Sequence, residues 1–159
     1  MAKKLIIICS ILLNLILITY LYLKANLLTN VYSNLSFSLQ NDLVQLENAI
    51  ELQNNVDWKE TDKVIEKIED VNESITYLLA TGKNTGLVTK SQEEDMHKLS
   101  TYFLKYYTYQ DSSNTELNGD AINQLMTLGE DLKAAGWKMN TGYSGDWDSF
   151  SKKISALIK

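Results

Sequence analysis

The feature that most constrains this chain of 159 residues is an uncharged, apolar run at residues 5–23. Lys3 and Lys4 precede the run, and Lys24 closes it. A helix rises about 1.5 Å per residue, so a run of this length can cross a hydrocarbon core of roughly 30 Å. The sequence therefore predicts a membrane-spanning helix within residues 1–24.

The length of the run favours an uncleaved anchor over a cleaved secretory signal. A signal peptide has an apolar stretch of about 7 to 15 residues, followed by small residues at the third and first positions before the cut. The one plausible cut here, after Ala25, would place Leu23 at the third position before it. We therefore expect the anchor to be retained.

The lysines around the run predict its orientation. The amino terminus, Lys3 and Lys4 lie before it, whereas residues 25–58 carry four acidic side chains and no lysine. Positive charge is retained on the cytoplasmic side of a membrane helix. We therefore expect a single-pass protein of the cell membrane, with its amino terminus inside and residues 25–159 forming one extracytoplasmic domain.

The composition of that domain argues against several classes of partner. Residues 25–159 contain twenty acidic residues and twelve lysines, a formal charge of −8. Such a domain is poorly suited to binding nucleic acid or to docking on anionic lipid. The single cysteine, Cys9, lies in the apolar run, so no disulfide is expected to stabilise the domain. The use of lysine without arginine is typical of AT-rich bacterial genomes, which points to a bacterial envelope.

Apolar residues recur every three or four positions throughout the domain, and the chain contains no proline. This spacing predicts an all-α fold, in which the anchor continues into an exported bundle of four or five helices. The expected helices are the continuation of the anchor to near Asn54, a second from about Asp57 to Gly82, a third opened by the pair Ser91 and Glu94 and running to about Gln110, a fourth from about Leu117 to Gly136, and a short last helix capped by Asp146.

Motifs for catalysis or metal binding are weak. His97 is the only histidine, and its spacing from Glu94 matches half of a di-iron ligand motif whose second histidine does not exist in this chain. The acidic residues of the second helix alternate with lysines, as on a solvated surface; we expect Lys63 beside Glu66 and Lys67 beside Asp70. We therefore expect no enzyme activity, no metal and no cofactor.

The aromatic residues are more informative. Five aromatic rings fall within residues 102–109, more than one helix stripe can bury, and further rings follow near the carboxyl terminus. Exposed tyrosine and tryptophan are common in protein interfaces and in sugar-stacking sites, although a bundle core would use the same residues. The candidate partner-binding residues are Tyr102, Tyr106, Tyr109, Trp137, Tyr143 and Trp147.

Asn14 lies near the middle of the predicted span, where an amide can bond to a neighbouring helix. We therefore interpret it as a candidate for homo-oligomer formation or for docking on another membrane protein. The function expected for the whole chain is a non-enzymatic, membrane-tethered bundle that binds or modulates another envelope protein, as an accessory, inhibitory or exclusion factor. The alternative is a tethered receptor that holds a small ligand, a peptide or glycan fragment, in an aromatic-lined pocket.

Overall fold

A computed structural model describes residues 2–107, 117–139 and 143–159. Within these ranges the protein is all-α, with five helices and no strand, which confirms the predicted fold class. The helices are α1 (Ala2–Gln53), α2 (Thr61–Thr85), α3 (Lys90–Tyr107), α4 (Gly119–Ala134) and α5 (Trp147–Leu157).

Helix α1 has two parts with different surroundings and no break between them. The first part carries exposed apolar side chains from Ile6 to Leu27. This part, which we call the candidate span, is long and apolar enough to cross a membrane. By length and composition alone, a signal sequence would have the same appearance. The second part, residues 28–53, lies beyond the candidate span, and we call it the outer part of α1. It buries Leu39, Leu43, Leu46 and Ile50, so the spacing of three and four predicted from the sequence is confirmed.

The outer part of α1 is one member of a closed group of helices. Helix α1 packs against α2 and α4, α2 packs against α3, and α5 packs against both α3 and α4. The core between them is formed by aliphatic side chains together with Phe103, Phe150 and Trp137. Each helix therefore buries its apolar face against at least two neighbours, as expected for a bundle whose helices are not stable alone.

The start of α2 differs from the sequence prediction. Asp57 and Trp58 have φ angles of 54° and 57°, a left-handed backbone that cannot begin an α-helix, so α2 begins at Thr61 rather than near Asp57. The loop is fastened to α1 by the buried side chain of Gln53, whose Oε1 accepts a hydrogen bond from the Glu60 amide at 3.1 Å. The predicted boundary was wrong because nothing local to Asp57 signals this turn.

The end of α2 and the start of α3 are also displaced from their predicted positions. Helix α2 continues past Gly82 to Thr85 and ends at Gly86, whose φ of 68° is the left-handed conformation that glycine favours at this position. The capping box of α3 is formed by Thr89 and Gln92 rather than by Ser91 and Glu94. The Gln92 amide donates to the Thr89 hydroxyl at 3.3 Å, and the Thr89 amide donates to Gln92 Oε1 at 2.8 Å.

The last helix begins where the sequence predicts. Asp146 caps α5, and its carboxylate accepts hydrogen bonds from the Ser149 amide and hydroxyl at 2.8 and 2.9 Å. These bonds lower the pKa of Asp146. Phe150, Ile154 and Leu157 are buried, so this helix of eleven residues is docked on the bundle by its apolar face.

Candidate functional site

The segment between α4 and α5 is held along the outer part of α1 by two polar side chains. Buried Gln40 donates from Nε2 to the Ser144 carbonyl at 3.1 Å and accepts from the Ser144 amide at 2.8 Å, which satisfies both ends of its amide. One residue earlier, the Tyr143 hydroxyl donates to Asn41 Oδ1 at 3.0 Å. These bonds fix the Tyr143 ring beside α1.

An exposed apolar surface lies at this level of α1. The Tyr143 ring meets the Phe37 ring edge to face, with centroids 6.1 Å apart, and the two side chains are 45 % and 41 % exposed. On α1, toward the candidate span, Val31 and Leu27 are also exposed. We call these four residues the basal patch. Leu27 and Val31 lie on α1 between the candidate span and Phe37, on a different side of the helix from the Phe37 ring.

Trp147, at the start of α5, is a packing residue with one polar contact. Its ring stacks on Tyr32 at 6.2 Å and meets Phe150 edge to face at 5.2 Å, and its Nε1 donates to Asp95 Oδ2 at 3.1 Å. Burial raises the pKa of Tyr32 to about 12. Trp147 is half-buried, so part of its ring remains accessible.

Trp137 and Tyr106 lie in the core. Trp137 is 1 % exposed and meets Phe150 edge to face, and Tyr106 is 3 % exposed between Phe103 and Tyr102. Burial raises the pKa of the Tyr106 hydroxyl well above its ordinary value. In this structure both rings serve packing, which was the alternative interpretation of the aromatic residues.

Tyr102 is half-buried, and it lies beside a cavity between α3 and α4. Its hydroxyl donates to Asp131 at 3.4 Å, and Lys105 Nζ lies 3.9 Å from the centre of its ring. The neighbouring cavity has a volume of about 260 Å³ and is lined by Lys105, Tyr106, Asn123, Gln124, Thr127 and Asp131. Of the six predicted partner-binding residues, Tyr109 lies outside the described residues. The partner-binding role of the set stays a prediction.

Asn14 is exposed on the candidate span. Its Nδ2 donates to the Ser10 carbonyl one turn earlier at 2.9 Å, which satisfies one of its donor hydrogens within the helix. Thr19 bonds to the Leu15 carbonyl in the same way at 2.9 Å. Asn14 and Thr19 thus each donate to a backbone carbonyl inside α1, and the role of Asn14 in helix association stays a prediction.

A second cleft lies between α1 and α4, where the sequence analysis placed no candidate. Glu47 is 3 % exposed, and its Oε2 is sealed from solvent without a hydrogen-bond partner among the described residues. Desolvation raises the pKa of Glu47, and the nearby charge of Glu51 adds to the rise. The signal was present in the sequence: Glu47 follows Leu43 by four positions and precedes Ile50 by three, so it lies on the core face of α1.

The remaining charged groups are arranged as on a solvated surface. His97 lies 3.5 Å from Glu93, one turn before it, rather than beside Glu94. On α2, Lys67 pairs with Asp70 at 2.6 Å as predicted, whereas Lys63 pairs with Glu60 at 2.5 Å and not with Glu66. The described ranges contain no group of three or more histidine, cysteine or acidic residues that could hold a metal ion.

Comparison of the chain with known protein families, with characterised proteins and with solved structures finds no match.

Proposed function

We propose that this protein is a non-enzymatic, membrane-tethered helical bundle whose outward-facing domain binds or modulates another protein of the cell envelope. The observation that supports this most is the aromatic pair of the basal patch, Phe37 and Tyr143, whose rings contact each other and remain exposed. Exposed aromatic side chains of this kind are typical of an interaction site.

The position of the patch indicates the kind of partner. A protein that crosses the same membrane would contact the candidate span with one of its helices and the basal patch with the region just outside the bilayer. Phe37 lies fourteen residues beyond Leu23, a rise of about 21 Å along a continuous helix. Lys3 and Lys4 support an inward amino terminus, and with that orientation this surface would lie on the outer side of the membrane.

Site-specific photocrosslinking in native membranes tests the proposal. A photoreactive phenylalanine analogue replaces Phe37 or Tyr143 in separate variants, and Tyr77, an aromatic residue on α2 that is 58 % exposed, is replaced as the matched control. We expect the same discrete crosslinked species from positions 37 and 143 and none from position 77. Absence of a discrete species from both patch positions, or an equal yield from position 77, would contradict the proposal.

The mass of the crosslinked species identifies the partner class. A species of twice the mass of the chain would show a homo-oligomer through the basal patch. In that case Asn14→Leu tests whether the span takes part, because an amide that bonds across helices in the membrane stabilises association by about 1 kcal/mol. A crosslinked species whose mass is not twice that of the chain would show that the partner is a different envelope protein.

The cavity between α3 and α4 favours a second candidate function, that of a receptor for a peptide or glycan fragment. Amide, hydroxyl and carboxylate groups from Asn123, Thr127 and Asp131 line it together with the largely buried Tyr106, and such polar groups can form hydrogen bonds with sugars and peptides. Titration with short oligosaccharides of N-acetylglucosamine and with short peptides tests this function. Saturable binding that Thr127→Val weakens would support it.

A further inference from the structure

The carboxyl group of Glu47 is buried, and among the described residues only the longer-range charges of Lys133 and Lys138 favour its ionised form. Its Oε2 has no hydrogen-bond partner, and no lysine of the described residues lies within ion-pair distance of the Glu47 carboxylate. Burial of an unpaired carboxylate is costly, so a folded chain keeps such a group neutral or gives it a ligand. Glu47 is therefore a candidate ligand-binding residue.

Glu47 is one of the residues that line a cleft, although its Oε2 has almost no solvent-accessible surface. The cleft between α1 and α4 has a volume of about 200 Å³ and is lined by Glu47, Ile50, Glu51, Asn54, Met126, Gly129, Glu130 and Lys133. Three of these side chains are carboxylates and only one is basic, a formal charge of −2 at the lining. The cleft thus combines a negative charge with an apolar wall formed by Ile50 and Met126.

The one basic side chain of the lining is engaged at the rim. Lys133 Nζ lies 3.5 Å from Glu51 Oε1, and both side chains are more than half exposed. An exposed pair of this kind contributes little to stability and opens readily. Lys133 therefore pairs with Glu51 rather than with Glu47, although its charge opposes the rise in the pKa of Glu47.

We propose that the cleft between α1 and α4 binds an alkylammonium group. The lining carries three carboxylates, from Glu47 and Glu51 on α1 and from Glu130 on α4, and an ammonium has three hydrogen-bond donors. The walls of Ile50 and Met126 would cover the alkyl stem. The cleft holds about six or seven water-sized groups, close to the size of a four-carbon amine.

Ligand binding at this site is expected to change the protonation of Glu47. Burial raises the pKa of Glu47, Glu51 raises it further, and Lys133 and Lys138 oppose the rise. An ammonium beside the carboxylate would lower that pKa again, so binding near the raised pKa releases a proton to the buffer. This inference goes beyond the proposed function and does not rest on it, because it concerns a different face of the bundle.

Calorimetric titration of the full-length protein in detergent micelles at low salt tests the site. The probe is n-butylamine hydrochloride, and n-butanol is the uncharged control for the apolar stem. A ligand of five heavy atoms is expected to bind with a dissociation constant in the millimolar range. We expect saturable binding of the amine, at least tenfold weaker binding to Glu47→Gln, and an observed enthalpy that differs between buffers of different ionisation enthalpy, because the buffer takes up the released proton.

Glu69→Gln, an exposed position on α2, is the matched variant because it makes the same charge change away from the cleft, and it should bind butylamine like the wild type. N-acetyl-lysine amide distinguishes the sources: tighter binding than butylamine would assign the cleft to a lysine side chain of a partner, and weaker binding would assign it to a free amine. No saturable amine binding, or equal binding to folded Glu47→Gln, would overturn the proposal.

Discussion

Glu47 lies in a row of leucine and isoleucine residues, and its cost to the bundle depends on pH. Its pKa is raised by burial, so between the ordinary and the raised value the folded state binds more protons than the unfolded state. The free energy of unfolding therefore falls as the pH rises through this window and becomes level above the raised pKa. Glutamine at this position cannot ionise.

We expect Glu47→Gln to remove this pH-dependent loss and to make the bundle more stable than the wild type at neutral pH. Urea unfolding of the full-length protein in detergent, followed by tryptophan fluorescence, measures the effect, since all three tryptophans lie beyond the candidate span. Asp42, whose pKa burial also raises, contributes equally to both proteins. Glu69→Gln should keep the wild-type slope, and an unchanged slope in Glu47→Gln would contradict the assignment.

Gly129 sets the approach of α4 to α1. A Cβ atom at this position would lie 2.7 Å from Ile50 Cγ2, so Gly129→Ala forces the buried helices apart. Overpacking of this kind costs about 1–3 kcal/mol, more than the gain of up to about 1 kcal/mol in helix propensity. We expect a lower urea midpoint for Gly129→Ala. Gly119→Ala, where a Cβ meets nothing within 4 Å, should be neutral or stabilising.

At the scale of single elements, α3 depends on a cap that the sequence analysis assigned two residues too late. Both Thr89 with Gln92 and Ser91 with Glu94 fit the capping pattern, and the sequence alone does not distinguish them. Thr89→Ala should cost about 0.5–2 kcal/mol of unfolding free energy, because it leaves the Gln92 amide without its acceptor. Ser91→Ala, measured in the same way, should change stability by less than about 0.5 kcal/mol.

Helix α5 has only eleven residues, so its stability comes from its contacts. Trp147→Ala removes the stacking on Tyr32 and leaves buried Asp95 without its donor, and we expect a loss of about 3 kcal/mol. Trp147→Phe keeps the ring but not the Nε1 donor and should lose less. Thermal unfolding compares the three proteins. Equal melting temperatures would show that α5 is not docked through Trp147.

For the whole molecule, the sequence predicted the elements better than their contacts. The spacing of Leu39, Leu43, Leu46 and Ile50 depends only on the helical repeat and on burial, so the buried face of α1 was readable. The start of α2 could not be predicted in this way, because it depends on the hydrogen bond from the Glu60 amide to Gln53 across a left-handed turn. The cleft at Glu47 depends on where α4 packs, which no local pattern gives.

The predicted orientation is tested on intact cells. With the amino terminus inside, protease added to spheroplasts should cleave exposed positions beyond the span, such as Lys59 in the loop before α2. Immunoblotting with an amino-terminal tag follows the products. A chain that stays intact in spheroplasts but is cleaved after lysis would show that the domain faces the cytoplasm.

Helix α1 runs without a break from the candidate span into the bundle, so its two parts tilt together. Residues 24–53 extend about 45 Å beyond the end of the apolar run, so a 10° change in tilt moves the far end of α1 sideways by about 8 Å. With the candidate span in a bilayer, a change in bilayer thickness that alters the tilt of the span would tilt the rest of α1 and the helices packed on it by the same angle. The same stiffness would transmit a force on those helices to the candidate span.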